Sequence, residues 1–189
     1  MKEAAADLHS LNVQALCRDG ARVAGRWPLS AMTRLVGSLF GPPDAAAVVD
    51  CSAEGSMRVA PGSQPELWLH LQTRLPVTLQ CQRCLQAMTQ ALAVDRHFRF
   101  VRSEAQAEQL DEISDDDVLV LAPRLDLHEL LEDELILALP LVPRHAQGCP
   151  TPLPLRAEEP LAEAPAVNPF AALAALRSGR PGGGQGGQG

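Results

Sequence analysis

Two cysteine residues separated by two positions carry the sharpest chemical signal in this sequence. Cys81 and Cys84 can place two thiolates on one metal ion or close a strained disulfide. About 60 residues further along the chain, His145 and Cys149 form a His-x-x-x-Cys pair. Three thiolates and one imidazole are a common tetrahedral ligand set for structural zinc. The pattern therefore predicts a structural zinc site at Cys81, Cys84, His145 and Cys149.

Two other interpretations of the Cys-x-x-Cys pair stay open at this point. A thiol-disulfide or redox-sensing protein working through Cys81 and Cys84 needs a thiolate with a lowered pKa, which usually comes from a helix N-terminus. This pair instead lies between two predicted strands, where cysteines can also be small apolar residues at a hairpin corner. Cys17 and Cys51 have no partner at ligand spacing, so we expect both to be buried.

The sequence offers no catalytic constellation beside these cysteines. It contains no phosphate-binding loop, no glycine-rich nucleotide turn, no His-Glu-x-x-His pair and no Ser/His/Asp order. Glu132, Asp133 and Glu134 are consecutive, so on a helix they point to different sides and cannot all line one cleft. Glu134 falls in the apolar stripe, where it is either buried against Arg83 or Arg99 or simply exposed. We expect no enzymatic activity and no small-molecule substrate.

The elements that must position these residues follow from the hydrophobic pattern. Alternation with a period of two in the first half of the chain predicts an antiparallel sheet, as a meander or a barrel-like arrangement. Strands are predicted near residues 46–51, 67–80 and 97–101, and the Cys-x-x-Cys corner follows the second of them. Pro76 is expected on a strand edge or at a bulge, because proline has no N–H to donate to a ladder.

The second half of the chain predicts one short strand and one clear helix. Residues 118–121 are fully apolar and form the strand. Asp126 is a helix N-cap with Glu129 three positions later, and leucines follow at helical spacing until Pro140. The acidic and polar residues 102–117 are predicted to form a surface loop.

The length of 189 residues predicts a single α+β domain over residues 1–150. Proline and glycine dominate residues 151–189, which predicts a disordered tail with a short helix near 168–177. The sequence has no apolar run near the ~20 residues that a membrane span needs and no signal-peptide core. Together with the odd number of five cysteines, this predicts a cytoplasmic protein with reduced thiols or metal ligands.

The net charge of −7 excludes a simple electrostatic binder of RNA or DNA. Aromatic residues make up only 3 %, which also argues against a platform for base stacking. The charge is unevenly distributed, because residues 1–103 sum to +3, 104–139 to −11 and 140–189 to +1. The mildly basic first segment leaves room for a local RNA contact at four arginines, namely Arg83, Arg96, Arg99 and Arg102.

Four segments in a fixed order resemble the YceD family, the large ribosomal RNA subunit accumulation proteins of bacteria, which have relatives in plastids. They are LQCQRCL at 79–85, FVRSEAQA at 100–107, DLHELLEDELILALPLVP at 126–143 and NPFAAL at 168–173. The resemblance implies a cytosolic protein needed for normal synthesis, processing or stability of 23S ribosomal RNA, without known catalytic activity. It also implies residues of metal-ligand type at the Cys-x-x-Cys pair.

The resemblance and the charge distribution together predict a protein that reaches ribosomal RNA through basic partners. An acidic chain with few aromatic residues is expected to bind basic ribosomal proteins or an rRNA-processing factor. The predicted contact surface consists of acidic residues of the central block, namely Glu104, Glu108, Asp111, Asp115, Asp116, Asp117, Glu132 and Asp133. A zinc-stabilised RNA-binding module that uses the four arginines is the alternative, beside the redox protein.

Overall fold

The computed structural model describes residues 7–59, 64–113 and 117–150. The strands in these ranges are β1 (Arg22–Pro28), β2 (Val48–Arg58), β3 (Glu66–Gln80), β4 (Ala87–Val101) and β5 (Asp117–Val120). The helices are α1 (Val13–Asp19), α2 (Thr33–Val36), α3 (Glu104–Asp111) and α4 (Leu127–Leu137), and a 3₁₀ turn at Leu29–Ala31 precedes α2. The predicted tail, with its helix near 168–177, lies outside the described residues.

The five strands form one sheet in the order β1-β2-β3-β4-β5. Neighbours from β1 to β4 are antiparallel, so the predicted α+β class and antiparallel meander are confirmed. The last strand, β5, pairs with β4 in parallel, because the chain crosses over through α3 before it enters β5. The sheet is open, and the barrel-like alternative is therefore wrong.

A long β3–β4 hairpin dominates the sheet. Its two strands have 15 residues each and stay in register from Leu67 opposite Phe100 to Gln80 opposite Ala87. Pairing of β3 with β2 ends at Thr73, so the distal part of the hairpin has only two strands. Pro76 lies in that part, as expected for a proline on a strand edge.

One face of the sheet packs on the hydrophobic core. Leu127, Leu131 and Leu135 of α4 lie four residues apart, share one helix face and are fully buried in this core. Cys17 and Cys51 are also buried there, which confirms their prediction. The opposite face, called here the outer face, carries the alternate residues of β3 and β4, which are largely polar and exposed.

The structure confirms one predicted helix and corrects a predicted loop. Asp126 is the N-cap of α4, and its carboxylate accepts from the backbone N–H groups of His128 and Glu129. The predicted loop at 102–117 is wrong over Glu104–Asp111, because α3 forms there with Ser103 as its N-cap. None of the residues of α3 is buried, so the sequence showed no apolar stripe to reveal it.

Candidate metal centre

The Cys-x-x-Cys pair forms the tip of the β3–β4 hairpin. Cys81 follows β3 directly, and its N–H donates to the carbonyl of Gln86 across the turn at 2.9 Å. Its carbonyl accepts from the N–H of Leu85 at 2.9 Å, and this second bond folds the chain around the two thiols. Leu85 has φ 60°, a left-handed conformation that is uncommon outside glycine. Both Cys81 and Cys84 are buried within this turn.

The segment that follows α4 reaches the same tip. The N–H of Gln82 donates to the carbonyl of Pro143 at 2.8 Å and fixes the segment beside the turn. The ligand-type atoms of Cys81, Cys84 and His145 all lie within 4.8 Å of one another. The Sγ atom of Cys149 lies 3.8 Å from that of Cys81. The structure therefore brings together all four residues that the sequence singled out.

The ligand types of the four side chains fit a zinc ion, with Cys81, Cys84 and His145 in one close group and Cys149 next to Cys81. Two thiolates that are each ~2.3 Å from such an ion lie about 3.8 Å apart, which matches the separation of Cys81 and Cys149. The Nε2 atom of His145 is buried and has no hydrogen-bond partner within the described part of the chain. A buried polar atom without a partner is costly, and coordination to a metal would satisfy this one.

Electrostatics at the tip favour one thiolate and disfavour a second in the absence of a cation. Burial opposes ionisation of Cys81, but N–H groups of Cys84, Arg83 and His145 and the Cys84 thiol outweigh it and lower its pKa to about 6. Burial and the neighbouring thiols of Cys84 and Cys81 raise the pKa of Cys149 to about 11. A dication among these sulfur atoms would compensate the negative charge that now opposes ionisation of Cys149.

Comparison with known proteins identifies the family. The profile described as Large ribosomal RNA subunit accumulation protein YceD matches residues 69–177. The chain belongs to the YceD family. The matched range includes the whole Cys81, Cys84, His145 and Cys149 cluster.

One curated relative in this family is the Large ribosomal RNA subunit accumulation protein YceD of Haemophilus influenzae. It is 38 % identical to this chain over 109 residues, which cover 55 % of this chain and 62 % of the relative. The chain thus matches less than two thirds of the relative's length. No solved structure matches the chain. The predicted membership of the YceD family is confirmed.

The structure does not gather the four arginines that the sequence suggested for an RNA contact. Arg83 lies at the hairpin tip and Arg102 just beyond the other end of β4. The 15 residues of β4 separate them by roughly 45 Å at ~3.3 Å per residue. Arg96 and Arg99 point to opposite faces of the strand, and they bind Asp117 and Glu66 respectively.

The predicted acidic contact residues are divided among several environments. Glu104, Glu108 and Asp111 of α3 follow at i, i+4 and i+7, so they lie on one exposed face of this helix. Asp117 pairs with Arg96, and Asp133 pairs with Arg34. Glu132 is buried and also paired with Arg34, so its carboxylate is not exposed to a partner. Asp115 and Asp116 lie outside the described residues.

Glu134 is buried, but its predicted partners are wrong. Its carboxylate lies 3.6 Å from Arg96, and neither Arg83 nor Arg99 pairs with it. The reason is the period of two in β4, which turns Arg96 toward α4 and Arg99 toward the outer face. Burial raises the pKa of Glu134, although the charge of Arg96 opposes this shift.

Sequence reasoning missed a cluster of three titratable side chains on the outer face. His70 of β3 lies directly opposite His97 of β4, and Asp95 lies beside both. Each of these residues looked isolated because the pairing register of the two strands cannot be read from spacing alone.

In the described part of the chain, we find no helix that combines the length and the apolar character needed to cross a membrane.

Proposed function

We propose that this chain is a non-enzymatic factor of the cytoplasm that supports accumulation of the large ribosomal RNA subunit. Membership of the YceD family carries this proposal. The YceD relative of Haemophilus influenzae is named for this role and adds support. More specifically, the chain would act in synthesis, processing or stability of 23S ribosomal RNA, through contact with ribosomal proteins or rRNA-processing factors.

The exposed face of α3 is the best contact surface for such basic partners. Glu104, Glu108 and Asp111 share this face, and the helix contains no basic residue to neutralise them. Complementary charge speeds association and selects partners more than it raises affinity. A direct contact with RNA is second in rank, because the four arginines are dispersed and two of them are paired with carboxylates.

Deletion of the gene and complementation with the intact chain test this function. Deleting the gene in a bacterium that carries it should lower the ratio of 23S to 16S ribosomal RNA, and the intact chain should restore it. The Glu104→Gln/Glu108→Gln variant should restore the ratio less well and recover fewer ribosomal proteins in affinity purification at low salt. The Asp19→Asn/Glu129→Gln variant removes the same charge from exposed positions on α1 and α4 and is the matched control.

The two parts of this test can fail separately. An unchanged 23S to 16S ratio after deletion would refute the role in accumulation of the large-subunit RNA. Equal rescue by the two charge variants would refute the α3 surface alone. Recovery that persists at low salt but disappears after ribonuclease treatment would favour the direct RNA contact.

We also propose that Cys81, Cys84, His145 and Cys149 hold one structural zinc ion. The ion would connect the hairpin tip to the segment after α4 and would leave no open position for a substrate. The 3.8 Å separation of two Sγ atoms and the buried, unpartnered Nε2 atom of His145 support this assignment. The four side chains here serve as ligands, and no reaction step depends on them.

Metal analysis of protein purified without a histidine tag tests the zinc site. We expect close to one zinc per chain after dialysis, and much less in the Cys84→Ser and Cys149→Ser variants. Cys51→Ala removes a buried thiol outside the cluster and should keep the zinc. An absence of zinc would refute the site, and a reversible Cys81–Cys84 disulfide in that protein would instead support the redox alternative.

A further inference from the structure

The outer face of the sheet carries a second cluster of metal-ligand type, far from the cysteines. His70 and His97 are cross-strand neighbours, and Asp95 precedes His97 by two positions on the same face of β4. The ligand-type atoms of the three side chains all lie within 4.8 Å of one another. Ten residues of β3 separate His70 from the hairpin tip, a distance of roughly 30 Å. The two clusters are therefore independent.

The cluster is already ordered by its own contacts. The imidazole rings of His70 and His97 stack with 4.0 Å between centroids and 9° between planes. The Oδ1 atom of Asp95 lies 2.6 Å from the Nε2 atom of His70. The other carboxylate oxygen, Oδ2, accepts from the side-chain amide of Gln72 at 3.4 Å. Such an outer hydrogen bond holds a ligating carboxylate in one orientation.

Charges of both signs surround the cluster on the outer face. Glu54 of β2 lies opposite His70 in the register, so a second carboxylate stands on the same face beside the histidines. Arginines also lie on this face: Arg22 is opposite Glu54, and Arg99 follows His97 by two positions and contacts Glu66. Arg58 is turned onto the indole of Trp68, with its guanidinium carbon 3.8 Å from the ring centroid. The site thus combines two imidazoles with the carboxylate of Asp95, and Glu54 lies on the same face.

We propose that His70, His97 and Asp95 form a second binding site for a divalent transition metal, of which zinc is the probe of choice. Imidazole nitrogen and carboxylate oxygen are ligands that zinc accepts at ~2.0–2.2 Å. The nitrogen lone pairs of stacked rings lie in parallel planes, so metal binding requires the stack to open, and the exposure of Asp95 and His97 leaves room for that movement. Glu54 or water completes the coordination. Because the cluster is open to solvent, it binds more weakly than the buried cysteine site.

Calorimetric titration of zinc into the full chain, after its tight site has been filled and excess metal dialysed away, tests the proposal. We expect one further equivalent to bind. The His70→Gln and His97→Gln variants should each weaken this binding at least tenfold, since each removes one of three ligands. The His9→Gln/His128→Gln variant is the matched control, because these two residues form the other histidine pair of the described chain that lies beside a carboxylate, Asp126.

Two results would overturn the proposal. One is the absence of any zinc binding beyond the first equivalent. The other is a second equivalent that both outer-face variants retain at full affinity, or that the His9→Gln/His128→Gln control loses. Far-ultraviolet circular dichroism and the urea midpoint of each variant show that the fold is kept, and the shift of histidine side-chain resonances on zinc addition identifies the rings that bind.

Discussion

The contacts of Glu132 allow the effect of its substitution on the free energy of unfolding to be worked out from the structure. Glu132 lies on α4 with only 6 % of its side chain exposed. Its Oε1 atom accepts from the backbone N–H groups of Arg34 at 2.8 Å and of Leu35 at 3.2 Å. These amides belong to the first turn of α2, whose own N-cap residue, Met32, makes no side-chain cap bond. Glu132 therefore caps a four-residue helix from another part of the chain.

The Glu132→Ala substitution should destabilise the protein by about 2–4 kcal/mol. Two backbone amides lose their acceptor, and each unsatisfied buried donor costs ~1–2 kcal/mol. Leu35 is fully buried, so water cannot easily replace the lost acceptor at its amide. The Glu132→Gln variant keeps an oxygen that can accept from both amides. Its free energy of unfolding should therefore fall by less than half as much as that of Glu132→Ala.

Urea unfolding followed by circular dichroism measures these changes. Asp133→Ala is the matched control, because Asp133 pairs with the same Arg34 but has 47 % of its side chain exposed. It should change the free energy of unfolding by far less than Glu132→Ala does. If the two variants unfold at the same urea concentration with equal slopes, the capping argument is wrong.

The pH dependence of the Glu132→Gln effect provides a second check. Burial would raise the pKa of Glu132, but the N–H groups of Leu35 and Arg34 and the Arg34 guanidinium outweigh it and lower the pKa. A lowered carboxyl pKa contributes stability at pH values above the unfolded value of ~4.3 and loses that contribution as the pH falls through the folded pKa. The difference in free energy of unfolding between wild type and Glu132→Gln should accordingly reach its largest value at pH 7 and become smaller below about pH 4.

Two further predictions concern the packing of α1 and the buried thiols. Gly55→Ala should destabilise by ~1–3 kcal/mol in urea unfolding, because its Cβ would lie 2.7 Å from the backbone of Leu16 and Cys17. Gly37→Ala, whose Cβ would meet its nearest atom at 3.4 Å, is the control, and an equal loss in both variants would contradict the packing argument. Cys17 and Cys51 should resist iodoacetamide at pH 8 in the folded protein, since burial raises the pKa of both thiols, that of Cys51 to about 11. Rapid labelling of either thiol, read by peptide mass spectrometry, would show that this part of the core opens.

The sequence predicted the parts of the fold whose periodicity is strong. Alternation over 67–80 and 97–101 predicted β3 and the end of β4, and the leucine repeat predicted α4, whereas β4 begins ten residues earlier, at Ala87. The convergence of the cysteine cluster was also predictable, because zinc ligand chemistry restricts the sets of cysteine and histidine residues that can act together. Pro76 indicated an edge position, and it lies beyond Thr73, where the pairing of β3 with β2 ends.

The features that the sequence did not predict depend on register or on polar capping. α3 is held by the Ser103 cap and has no buried side chain, so its composition is that of a loop. The Glu134–Arg96 contact and the His70–His97 stack depend on which strand positions lie opposite one another. A shift of two residues in that pairing would keep the same faces but bring other residues together, and the alternating pattern of β4 does not exclude it.

The position of the cysteine cluster follows from the shape of the hairpin. Beyond Thr73, β3 has β4 as its only strand neighbour in the described chain, and an isolated two-stranded ribbon is only marginally stable in water. Two backbone contacts support this distal part, from Phe40 to Thr78 and from Gln82 to Pro143. Ligands from the tip and from the segment after α4 close a loop of more than 60 residues, which is where a crosslink restricts the unfolded chain most. Zinc at the tip would thus add a crosslink at the end of a ribbon that has a buried inner face, with Leu75, Val77 and Leu79 in the core, but no third strand beside it in the described chain.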